Sequence, residues 1–219
     1  MTYQRSQVSL LQSRLAEVPR FIHIVAGPRQ VGKTTLVRQA IDGLAHKFVS
    51  VDPAGDAPDL HFAYALEDTL EVDGAPRGSA WLIRTWKTAR AQCLDAQQRQ
   101  PNQPFVFVLD EIQKIPRWSD TVKGLWDADR AKGLVMHVVL LGSSPLLIQK
   151  GLTESLAGRY ELMHATHWSW PEMHHAFDFT LDEFIYFGGY PGAAPFILNP
   201  AVRYPLPADL SPPKGAKAG

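Results

Sequence analysis

The octapeptide Gly27-Pro28-Arg29-Gln30-Val31-Gly32-Lys33-Thr34 constrains this chain more than any other segment. It has glycine, lysine and a hydroxyl residue at every fixed position of the spacing G-x-x-x-x-G-K-[ST]. The apolar run Phe21–Ala26 precedes it. A segment with Leu36, Val37, Ala40 and Ile41 at helical spacing follows, over residues 33–43. An apolar strand, a glycine-bounded turn and a helix in that order make a phosphate-binding loop. The glycines allow the backbone to approach an anion closely. Successive N–H groups turn inward as an anion nest, and the helix adds the positive end of its dipole. This pattern assigns Gly27, Pro28, Arg29, Gln30, Val31, Gly32, Lys33, Thr34 and Thr35 to a nucleotide. Lys33 reaches the β- and γ-phosphates, the Thr34 hydroxyl ligates Mg²⁺, and Thr35 sits near the α-phosphate.

A second apolar run, Phe105–Leu109, ends in Asp110 and Glu111. A strand end carrying two carboxylates complements the loop. Asp110 is expected to hold Mg²⁺ together with Thr34, and Glu111 to act as general base on the attacking water. A built-in glutamate favours hydrolysis of ATP. The chain has no Asn-Lys-x-Asp segment for reading guanine. A third run, Val135–Leu141, leads into Gly142-Ser143-Ser144. Two readings of Ser143 stand side by side: a hydrogen bond to the water or the γ-phosphate, or a cap on the next helix. Arg159, in Ser155-Leu-Ala-Gly-Arg159, also has two. It either stabilises transition-state charge, in its own subunit or a neighbour's, or pairs on the surface with a nearby acid such as Glu154 or Glu161.

The remaining elements follow from periodicity. Helices are expected over 3–17, 79–99 and 118–132, further helical segments within 144–157, and a strand over 47–51. Apolar strands alternating with helices mean a parallel sheet covered by helices on both faces, an α/β class. After Pro195 the chain is rich in proline, alanine and glycine and reads as a flexible tail, so the expected organisation is one domain over 1–195 and a tail over 196–219.

Lysine plus arginine number 22 and aspartate plus glutamate 22, so the basic excess that carries nucleic-acid binding is missing from the totals. A nucleic-acid-linked role therefore has no support in the charge. The one cysteine, Cys93, can form no intramolecular disulfide and reads as a small apolar helix residue in a reducing, cytoplasmic setting. No apolar run approaches the length of a membrane span. His164, His167, His174 and His175 crowd together without a second ligand set, and are read as exposed or locally bonded rather than as a zinc site. Trp118, Trp126, Trp168 and Trp170 are read as packing residues, and Gly188-Gly189-Tyr190-Pro191 as a turn.

Taken in order, GPRQVGKTTL, VLDEIQKIPRW, LLGSSPLLI, ESLAGRYE and FGGYP resemble a family of prokaryotic AAA+-like P-loop ATPases over about residues 15–195. Asp52 resembles that family's acidic position after the second strand, and Trp168-Ser-Trp-Pro-Glu172 its Ser-Phe-x-Glu segment. The resemblance implies a three-layer α/β/α sandwich of the additional-strand type, with the Ser143 strand between those of the phosphate loop and Asp110. It also implies ATP and Mg²⁺, and a finger or sensor role for Arg159. Such family members typically continue past the GGYP segment into a partly helical domain, and this chain is expected to lack it. Both a homo-oligomer and a monomer fit the sequence. A protein partner is expected without an identity, and two alternatives stand beside plain hydrolysis: a nucleotide-gated module with negligible turnover, and a nucleic-acid-linked ATPase or regulator.

Overall fold

The computed structural model describes residues 3–51, 77–101, 103–143, 148 and 155–195. Asp52, the expected tail and nearly all of the 144–157 segment lie outside these residues. The chain divides into two compact units, one over residues 2–166 and the other from His167 onward.

The first unit carries helix α1 (Ser6–Leu15), strand β1 (Ile22–Ala26), α2 (Lys33–Ala40), β2 (Ala45–Ser50), α3 (Ser79–Arg99), β3 (Phe105–Asp110), α4 (Trp118–Ala131), β4 (His137–Gly142) and β5 (Tyr160–His164). The five strands form one sheet in the order β2-β3-β4-β1-β5, with every pairing parallel. β4 therefore stands between β1 and β3, as the family resemblance implies. The register sets His23 opposite Val139 and Ala26 opposite Gly142.

β1, β3 and β4 are buried along their whole length. They read as continuous apolar runs because helices cover both faces, and alternation serves only to divide the residues between those faces. Val25, Val106, Val108, Val139 and Leu141 pack with Val8, Leu11 and Leu15 of α1 and Leu36, Val37 and Ala40 of α2. Ile24, Phe107, Leu109, Val138 and Leu140 pack with Trp81, Trp86 and Cys93 of α3 and Trp118, Val122 and Trp126 of α4. Each large side chain so buried contributes about 1.5–3 kcal/mol. Trp86 is fully buried, and its indole Nε1 donates a 2.7 Å hydrogen bond to Asp129 Oδ2. Burial pushes the Cys93 thiol up to about 12, so it remains protonated.

The second unit contains α5 (Trp170–Phe177) and α6 (Leu181–Phe187), each opened by a reciprocal capping box, Ser169 with Glu172 and Thr180 with Glu183. Its small core holds Met173, Phe179 and Ala194 with Trp168 packed against them. His174 Nδ1 lies 2.9 Å from Phe179 O and His175 Nδ1 lies 2.6 Å from Pro171 O. Neither β5 nor these two helices is among the sequence expectations. No helix among the described residues is long and apolar enough to cross a membrane.

Candidate functional site

A parallel sheet places the C-terminal ends of its strands along one edge, where ligands of open α/β sheets bind. β1 runs into the Gly27–Thr34 loop at that edge, β3 ends there in Asp110 and Glu111, and β4 delivers Ser143. Gly27 N donates to Gly142 O at 3.3 Å, which ties the loop to the end of β4. Val31 is fully buried and anchors the middle of the loop in the α1–α2 core, whereas Arg29 and Gln30 are exposed. Gln30 and Gly32 both have left-handed backbone, with φ of 63° and 84°. Gly32 precedes the first helical residue, and no side chain caps the N-terminus of α2. The N-terminus of α2 thus opens without a side-chain cap at the sheet edge where an anion would bind.

Lys33 is 6% exposed, unusual for a lysine. Its Nζ donates to Gly27 O at 3.0 Å and to Pro28 O at 2.6 Å, folding the side chain back over its own loop. Burial draws its pKa below the ordinary lysine value, while Glu111 and Asp110 act in the opposite direction. The Thr34 hydroxyl donates to Asp110 Oδ2 at 2.7 Å, and Glu111 N donates to Asp110 Oδ1 at 2.8 Å. Burial, with Glu111 contributing, raises the Asp110 carboxyl above its usual range, and the Thr34 hydrogen bond opposes this. A hydroxyl and a carboxylate in contact beside a nest of N–H groups are the oxygen donors Mg²⁺ takes next to phosphates. Thr34 and Asp110 could hold that ion.

Glu111 also has left-handed backbone, with φ of 57°. The turn aims its carboxylate away from Asp110 toward β4, where the Ser143 hydroxyl donates to Glu111 Oε2 at 2.8 Å. Gln113 joins the same oxygen: its Nε2 donates to Glu111 Oε2 and, at 3.2 Å, to Ser143 Oγ. Gln113 is not among the sequence-derived site residues. The only sequence signal for it was a place two residues beyond Glu111 in LDEIQ, which says nothing of where an amide points.

Arg159 stands apart from this group. Ile22 N donates to Arg159 O at 2.8 Å, so Arg159 lies at the start of β1, while the loop lies at its end. Five residues of strand separate the two by roughly 16 Å. The guanidinium forms a two-point ion pair with Asp127 of α4, at 2.8 and 3.1 Å. Among the described residues the surface partner is thus Asp127 rather than Glu161, Glu154 lying outside them, and one expectation is corrected: Arg159 does not approach the phosphate loop of its own subunit. The physical reason is the parallel connection. A chain leaving the C-terminal end of β4 must return to the opposite edge before β5 can run parallel to β1. Among the described residues no cluster of three or more histidine, cysteine or acidic side chains is placed to hold a metal.

A search of curated proteins gave no match. Among solved structures, the chain is similar to the Walker-type ATPase PABY2304 of Pyrococcus abyssi, with a TM-score of 0.56 and 15% identity over 89% of this chain and 65% of that one. It thus spans about two thirds of that protein's length. Cdc6p from Pyrobaculum aerophilum aligns over 77% of this chain and 46% of its own, at 14% identity and a TM-score of 0.47. The likeness to the Walker-type ATPase supports the three-layer P-loop fold. The model of the AAA domain family matches residues 19–174, and the chain belongs to that family.

Proposed function

We propose that this chain binds ATP with Mg²⁺ at the Gly27–Thr34 loop and hydrolyses it to ADP and phosphate. The observation that carries the reading is the Thr34–Asp110 contact at 2.7 Å with Glu111 as the next residue. It supports the reading because Thr34, Asp110 and Glu111 stand beside the Gly27–Thr34 loop at one sheet edge. Thr34 and Asp110 would hold Mg²⁺, which would supply positive charge against the negative charge that develops on the phosphate. The first turn of α2 binds the phosphates, and Lys33 exchanges its loop carbonyls for phosphate oxygens. Glu111 orients a water molecule and takes its proton as the water oxygen bonds to the γ-phosphorus. The bond from that phosphorus to the bridging oxygen breaks, and ADP leaves with the electron pair.

Arg159 supports a further point. It lies on the opposite edge from its own loop and carries its charge at the surface, so any contact with transferring phosphate comes from a neighbouring copy. The same observation favours a second reading for a monomeric chain, a nucleotide-gated module that turns over negligibly.

The experiment is Mg²⁺-dependent phosphate release from ATP by the wild-type chain, Lys33→Ala and Glu111→Gln over a range of protein concentrations. Hydrolysis requires release well above the Lys33→Ala background, with Glu111→Gln retaining ATP binding and losing release. Equal release from wild type and Glu111→Gln would refute Glu111 as base. Tight ATP binding without release would favour the nucleotide-gated module.

A further inference from the structure

We propose that Gln113 is a positioning residue whose amide holds the Glu111 carboxylate in place, and goes on holding it when the Ser143 hydroxyl turns to a phosphate. The inference rests on the hydrolysis reading of the same site. Glu111 Oε2 accepts from both Ser143 Oγ and Gln113 Nε2, and Gln113 Nε2 also reaches Ser143 Oγ at 3.2 Å. Ser143 has one hydroxyl proton and spends it on Glu111. Donating to a phosphate therefore means releasing Glu111. Gln113 faces no such choice: its two amide protons serve Glu111 and the Ser143 oxygen at once, and Ser143 can accept from it in either orientation.

The amide orientation has one acceptable sense. Turned over, it would set Gln113 Oε1 against a carboxylate oxygen, acceptor against acceptor. In the sense adopted, Gln113 Oε1 is buried and has no hydrogen-bond partner. It sits at the end of β4, where a Cβ on Gly142 would come within 2.8 Å of it and within 2.5 Å of Ile148 Cδ1. A buried acceptor left unpaired weakens folding. The arrangement therefore serves the orientation of Glu111 rather than stability. With Oε2 held from the β4 side, Oε1 of the carboxylate is the atom left for a water.

Two measurements on the full chain test this. In Gln113→Met, which keeps the side chain's length and loses its donors, kcat is expected to fall about tenfold or more, with KM for ATP within about twofold of wild type. The thermal midpoint is expected to hold, because the unpaired acceptor leaves with the donors. An unchanged kcat would overturn the proposal. Side-chain amide resonances of Gln113, identified by their loss in Gln113→Met, are expected to shift in Glu111→Gln. They are expected to keep their carboxylate-bound position when a non-hydrolysable ATP analogue and Mg²⁺ are added. Resonances indifferent to Glu111→Gln would overturn the contact whether or not the chain turns over ATP. If they respond but the wild-type chain releases no phosphate, the hold on Glu111 stands and the hydrolysis reading alone falls.

Discussion

The Thr34 hydroxyl donates a 2.7 Å hydrogen bond to Asp110 Oδ2, joining the first turn of α2 to the end of β3 across 76 residues of chain. Asp110 is 7% exposed, and burial raises its pKa, so the buried charge destabilises the fold that carries it. Asp110→Asn removes the charge and preserves the shape. We expect Mg²⁺-dependent phosphate release to fall by about 100-fold or more. The thermal midpoint is expected to stay level or rise. Calorimetry beside a phosphate-release assay checks both, and a sharp drop in midpoint would show the carboxylate to be structural.

His137 on β4 is 1% exposed and stacks on His23 of β1 with ring centroids 6.2 Å apart. Burial, with His23 adding to it, pushes the His137 pKa down to about 4, and burial lowers His23 as well. Well above pH 6.5 both folded and unfolded chains hold a neutral imidazole here, and His137 adds no pH dependence to stability. Below 6.5 the unfolded chain takes up a proton that the folded chain refuses. Stability therefore falls with pH, by roughly 3 kcal/mol on reaching pH 4 from His137 alone. Glu161, whose Oε2 lies 3.5 Å from His23 Nδ1, softens the His23 share. Urea unfolding at several pH values should show this slope, and His137→Gln should flatten it.

Arg159 and Asp127 form a two-point ion pair at the edge opposite the phosphate loop, and the pair raises the guanidinium pKa and lowers that of the carboxyl. An exposed pair of this kind contributes little to stability. Arg159→Ala should leave the thermal midpoint and ATP affinity nearly unchanged. If the side chain serves a neighbouring copy, wild-type turnover per chain rises with protein concentration and that of Arg159→Ala does not. Equal concentration dependence in both would remove the role in trans.

Gly27 admits no side chain. A Cβ there would lie 1.9 Å from Ala165 O, whose own N–H donates to Ala26 O at 2.8 Å where β5 meets β1. Backbone of a parallel ladder cannot move aside without breaking the ladder. Gly27→Ala is expected to destabilise the first unit by about 3 kcal/mol or more and to lose ATP binding with it. Denaturant unfolding monitored through the tryptophans measures the loss.

Much of this was legible in the chain. The runs at Phe21–Ala26, Phe105–Leu109 and Val135–Leu141 read as buried strands because they are apolar throughout, and they are the three central strands. The 79–99 helix agrees at both ends, where Gly78 precedes it and Pro101 follows. β5 was not legible: Tyr-Glu-Leu-Met-His is a half-exposed edge strand with neither an apolar run nor clean alternation. α5 and α6 did carry a signal. Ser169-x-x-Glu172 and Thr180-x-x-Glu183 have capping-box spacing, and both boxes form.

The sequence by itself determined which groups the site can contain. The glycines, Lys33, Thr34, Asp110 and Glu111 stand at spacings set by local chemistry, a turn between a strand and a helix and a strand ending in acids. Tertiary structure alone decided which groups meet. It set β4 between β1 and β3, and so brought Ser143 to Glu111 across 32 residues and Gln113 to both. It also carried Arg159, only 16 positions after Ser143, to the far edge of the sheet. Strand order and the edge to which a connection returns come from the packing of whole elements, whereas a motif records only its own few residues.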